Sequence, residues 1–145
     1  TAIARFMARS QTDPGGPDAT VRRCVAAFPE MINDHGGFDS ELVRVTAGRM
    51  VAKRGAMAMF LIGALTVQHG PIGVAIKLED GNMTPVPMVA MKVLRELELL
   101  SDDEAGQLER FDTLPIHNWR GIRTGEVTPN FSLTQPTNQL FNAPS

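Results

Sequence analysis

Only one cysteine, Cys24, occurs in the 145 residues, which excludes an internal disulfide and a zinc site built on thiolates alone. That scarcity suits a reducing cytoplasm. Cations are not in surplus either, because 14 Lys and Arg stand against 16 Asp and Glu, for a net charge of −2. Neutralising phosphates needs a marked excess of Lys and Arg, so nucleic acid is not an expected partner. No run nears the roughly 20 apolar residues of a membrane-spanning helix, so no membrane partner is expected. The longest apolar stretch, 56–67, is interrupted by Gly63 and reads as a buried strand with its turn. The chain starts at Thr1 without an initiator Met or a signal-peptide pattern, and something upstream is expected to have been cut away or never included.

What is present has the composition of an ordinary globular chain, 43% hydrophobic and 21% charged, at a length suited to one domain. Residues 1–10 place Ile3, Phe6 and Met7 at helical spacing. Residues 12–18 (TDPGGPD) are a breaker cluster and predict a loop. A second helix follows over 18–28, with Val21, Cys24, Val25 and Phe28 on its apolar face and Pro29 closing it. Cys24 there reads as a small core hydrophobe. After the turn 33–37, residues 38–47 predict a short helix with Asp39 as N-cap.

Segments 49–55 and 56–63 read as adjacent strands meeting at a Gly turn, 73–78 as a third strand, and 79–82 as an Asp-Gly turn. Residues 86–100 give the strongest helical period, through Val89, Val93, Leu94, Leu97 and Leu100. Ser101 lies three residues before Glu104, a capping box opening a helix over 101–111. One further strand is predicted over 118–127, and 128–145 is read as a polar C-terminal tail. This order is not βαβ alternation and predicts an α+β fold, an antiparallel sheet with flanking helices, over residues 1–127.

Chemistry is suggested first at 51–56, VAKRGA. A Lys at a strand end shuttles protons when burial lowers its pKa toward neutrality. Gly55 lets a substrate lie close to the backbone, and the Ala56 amide can point at a developing oxyanion. Alone, Lys-x-Gly turns up by chance in many proteins, and the plain reading is a solvated Lys beside a hairpin glycine. The scattered His35, His69 and His117 lack ligand spacing and read as surface or loop residues. Met57, Met59, Met83, Met88 and Met91 read as core filling. An N-terminal Thr1 can in principle act through its own amine, yet it leads into an amphipathic helix rather than a buried strand.

Taken together, FPEM (28–31), GFDSEL (37–42), GRMVAKRG (48–55), Gly63, IGVAIKLEDG (72–81) and NWRGIRTGEV (118–127) stand in a recognisable order. They resemble the C-terminal half of the asparaginase II family, which reads like H-P-E-M, R-F-D-T-x-L-M, G-R-x-V-A-K-x-G-A and G-I-A-x-K-I-x-D-G. The resemblance implies part of a β-lactamase-like serine hydrolase converting L-asparagine to L-aspartate and ammonia. Such enzymes carry a Ser-x-x-Lys pair, a second Ser and a Lys-x-Gly on an inner strand. The last maps onto Lys53 and Gly55, with Ala56 as candidate oxyanion donor; the amine is expected to enter a pocket completed by other protein.

Every Ser-x-x-Lys test fails in this chain: Ser10 leads to Asp13, Ser40 to Val43, Ser101 to Glu104 and Ser132 to Gln135. The resemblance therefore implies a missing N-terminal half as partner and a chain inactive alone. No obligatory cofactor is expected. Some members bind zinc through a Cys near the position of Asp39, but a lone carboxylate rarely holds Zn²⁺. A sheet left partly uncovered would also invite a homodimer. The reading from a different class is a non-catalytic α+β domain that binds a small amide or a partner.

Overall fold

Three strands pair antiparallel in the order β1-β2-β3, with β1 at Met50–Arg54, β2 at Met59–Thr66 and β3 at Gly70–Lys77. Ahead of them run helices α1 (Ala2–Thr12), α2 (Pro17–Ala27) and α3 (Phe38–Val45). After them come α4 (Val86–Glu96), α5 (Asp102–Gln107) and a separate hairpin of β4 (Leu114–His117) and β5 (Arg123–Val127). The fold is α+β, as the element order predicts. This computed structural model describes residues 1–134, so 135–145 of the expected tail lie outside the described residues.

Alternation along the strands divides the sheet into two faces. Met50, Ala52, Phe60, Ile62, Ala64 and Ile76 are buried on one, packed with Phe38 and Leu42 of α3 and with Met91 and Leu94 of α4. The Phe38 ring lies 5.7 Å from Phe60 and 5.1 Å, edge-on, from Phe111, geometries that ring quadrupoles favour.

On the opposite face Gly63 and Gly73 are register partners. Helix α1 lies on this pair: a Cβ on Gly63 would meet Met7 Cγ at 2.6 Å, and one on Gly73 would meet Ile3 Cγ2 at 2.8 Å. Gly63 thus does not end the strand, as its sequence position suggests. It lies mid-strand because a helix passes too close for any side chain.

Other differences have equally local causes. α4 stops at Glu96 rather than near Leu100, because Glu98 turns left-handed at φ 52 and the Leu99 amide bonds back to the Leu94 carbonyl at 2.9 Å. That is a Schellman ending, and it swings Leu99 into the core. α2 is turned the other way round from its predicted face. Its small residue Ala26 approaches Gly48, and Ala19 is buried, while of the predicted face Val21, Cys24 and Phe28 are exposed and Val25 alone is half-buried. Close backbone approach through small residues has outweighed the larger apolar stripe. Strand β4 has no counterpart in the sequence reading: its residues are largely exposed and Pro115 interrupts its pattern.

The capping box is present, with the Ser101 hydroxyl accepting from the Glu104 amide and the Glu104 carboxylate accepting from the Ser101 amide. Glu104 also receives Arg49 Nη2 at 2.7 Å, tying α5 to the start of β1. Burial pushes the Glu104 carboxyl up, but Arg49 and the Ser101 amide together hold it below its ordinary 4.5. A carboxyl lowered in the folded state stabilises above its unfolded pKa, and that stability is lost as pH falls through the folded value. Wild type is therefore expected to lose about 1 kcal/mol more than Glu104→Gln below roughly pH 4.5, measured by thermal unfolding between pH 3 and 7. Parallel pH profiles would remove this ion pair from the acid response.

Candidate active site

The end of β1 delivers Lys53, Arg54, Gly55 and Ala56 to one corner of the sheet. Lys53 shares its face with Leu61 and Ala75 through the register Lys53↔Leu61↔Ala75. Among the described residues β1 pairs with β2 alone, so it is an edge strand and not the inner strand expected. Lys53 is correspondingly exposed rather than buried. It is not free, however: its Nζ donates to the Ile32 carbonyl at 3.1 Å. The clearest clefts lie elsewhere; one of about 430 Å³, lined by Arg49, His69, Leu97 and Glu104, opens at the other end of β1.

The turn after Gly55 is unusual. Met57 and Ala58 sit at φ 53 and 55, left-handed without being glycine, which costs on the order of 1–2 kcal/mol per residue. Such a pair makes the primed turn that matches the twist of a hairpin. The Met59 amide bonds the Ala56 carbonyl at 3.3 Å and the Gly55 amide bonds the Met59 carbonyl at 2.7 Å. Just past the end of β3, the Leu78 amide donates to the Ala58 carbonyl at 3.2 Å, and from β3 itself Lys77 Nζ donates to the Met57 carbonyl. Ala58 is buried while Ala56 is exposed. The Ala56 amide has no acceptor among the described residues. Lys77 was not singled out by the sequence; the signal that finds it is register, since Lys77 pairs with Met59 at the turn.

Asp39 is not the N-cap of α3. Gly37 holds that position, and Asp39, in the first turn, is 0% exposed. Its Oδ1 accepts from Asn33 Nδ2 at 2.7 Å, and Arg54 donates to both oxygens at 3.3 Å. A guanidinium already lies against this carboxylate, and both of its oxygens are engaged within the chain.

Thr1 caps α1, its hydroxyl accepting from the Ala4 amide at 3.3 Å. His35, His69 and His117 are all exposed, as their spacing predicts. Met88 and Met91 do fill the core, and Met83 packs against it, but Met57 and Met59 stand at the exposed turn. No helix among the described residues is long and apolar enough to cross a membrane.

The family model of L-asparaginase II matches residues 1–129. The chain belongs to the L-asparaginase II family. No curated protein matches it. At family level this makes it an asparaginase-type amidohydrolase, with an amide such as asparagine as substrate class. In this L-asparaginase II chain, the described corner brings together the Lys53 amine, Gly55 and an Ala56 amide without an acceptor among the described residues. None of its serines opens a Ser-x-x-Lys.

Proposed function

We propose that residues 1–127 form one half of a β-lactamase-like amidohydrolase domain that converts L-asparagine to L-aspartate and ammonia. The nucleophilic Ser-x-x-Lys pair and the second serine come from protein outside this chain. The observation that carries this reading is the end of β1. There a tethered amine precedes, by three residues, a strained turn whose first amide has no acceptor.

In this reading the serine Oγ attacks the side-chain amide carbon of asparagine. The new C–O bond drives the carbonyl electrons onto oxygen, and the Ala56 N–H donates a hydrogen bond to that oxyanion. The serine proton is relayed to the leaving nitrogen, the C–N bond breaks and ammonia departs. Water then attacks the acyl-enzyme, aspartate leaves and the serine regains its proton. Lys53 holds the second serine and helps move these protons. The reaction so written needs no cofactor, and it suits a cytoplasmic setting.

Ammonia release from L-asparagine tests it. Turnover is expected when the chain is joined to a segment carrying the Ser-x-x-Lys pair, and none from these 145 residues alone. Turnover by the chain alone would overturn the division of labour. Silence of the joined protein, with substrate still bound, would favour the non-catalytic binding domain.

A further inference from the structure

We infer that Asn33 and Asp39 are positioning residues for the Lys53 amine. An exposed lysine carries about 2 kcal/mol of side-chain entropy and does not hold one rotamer unaided. Here its acceptor, the Ile32 carbonyl at 3.1 Å, is itself fixed. The next residue, Asn33, is gripped twice by α3: its amide donates to Asp39 at 2.7 Å, and its carbonyl accepts from Ser40 Oγ at 3.0 Å.

Asp39 does a second job. It is 0% exposed, and it receives Arg54, the neighbour of Lys53 on β1. Adjacent strand residues point to opposite faces. One carboxylate therefore anchors the strand from the Arg54 side and the lysine's acceptor from the other. Neither residue touches a reacting atom; each acts through Lys53. The use made of that orientation rests on the proposed function, whereas the tether itself does not.

The chain has three lysines, Lys53, Lys77 and Lys92, so competitive acylation read by peptide mass spectrometry has internal references. Lys92, paired with Glu96 at 2.8 Å on α4, lies outside the clamp. Asn33→Asp keeps the side-chain size but removes the donor and sets two carboxylates face to face. It is expected to raise the Lys53/Lys92 rate ratio on the order of threefold, the scale of one hydrogen bond to an exposed ammonium. Adding Asp39→Asn exchanges the amide and carboxylate, restores a donor–acceptor pair and should return the ratio toward wild type.

If Asn33→Asp unfolds, all three rates rise together, and Ser40→Ala carries the test with a smaller rise confined to Lys53. A ratio unchanged in folded Asn33→Asp, or no recovery in the exchanged pair, overturns the inference. Acylation needs no turnover, so a failed clamp and a failed catalytic assignment of Lys53 give separate signatures.

Discussion

Replacing Lys53 by alanine is expected to lower asparagine turnover by about 10²–10⁴-fold, the range that a positioned proton-transfer group supplies. Stability should hardly move. Lys53 is exposed on an edge strand and gives up one hydrogen bond to a carbonyl, and such surface changes stay within about 0.5 kcal/mol. The measurement is kcat from ammonia release beside a thermal melt, in protein that includes the nucleophile pair. Lys53→Arg separates chemistry from tethering. A guanidinium can still donate to the Ile32 carbonyl but does not give up its proton, so activity should remain lost. Turnover kept within tenfold in Lys53→Ala would remove this amine from the reaction.

The largest stability effect is expected at the paired glycines beneath α1. A Cβ on Gly73 would stand 2.0 Å from Thr1 Oγ1, 2.8 Å from Ile3 Cγ2 and 2.9 Å from the Ala4 backbone nitrogen. A side chain can swing away, but the backbone of a helix cannot without lifting the helix. Gly73→Ala should therefore cost about 3 kcal/mol, the upper end for overpacking, and lower Tm by roughly 10 °C for a chain of this size. Gly63→Ala meets Met7 Cγ at 2.6 Å and Ile3 Cγ1 at 2.8 Å, side-chain atoms that can yield, so about 1 kcal/mol is expected. Hydrogen exchange should show α1 losing protection first in Gly73→Ala. Equal melting temperatures for wild type and Gly73→Ala would mean that α1 does not rest on the sheet.

What could be read along the chain was whatever neighbours in sequence decide. The Ser101–Glu104 box is an i to i+3 arrangement and appears as expected. The helical period from Val86 and the apolar runs of β1, β2 and β3 likewise gave the right elements. Failures share a different character. Asp39 carries a local signal for a helix cap, yet its partner Arg54 is 15 residues away, and an ion pair across that separation leaves no pattern in a short window. Similarly, α2 displays a stripe of Val21, Cys24 and Phe28, but the contact of Ala26 with Gly48 sets its orientation. Gly55 looked like the residue that makes the turn, whereas Met57 and Ala58 take the left-handed angles, held there by Lys77 and Leu78 at the end of β3.

Sequence by itself determined the α+β class and the family, because propensity, capping and motif order are written residue by residue. Only the tertiary structure decided how the corner at Lys53 is presented. It placed β1 at an edge with its lysine exposed but tethered, set Asp39 between Asn33 and Arg54, and laid α1 across two glycines. The physical reason is range. Hydrogen bonds and close packing between segments depend on distances that folding creates, and these leave no period or spacing in the chain to be read beforehand.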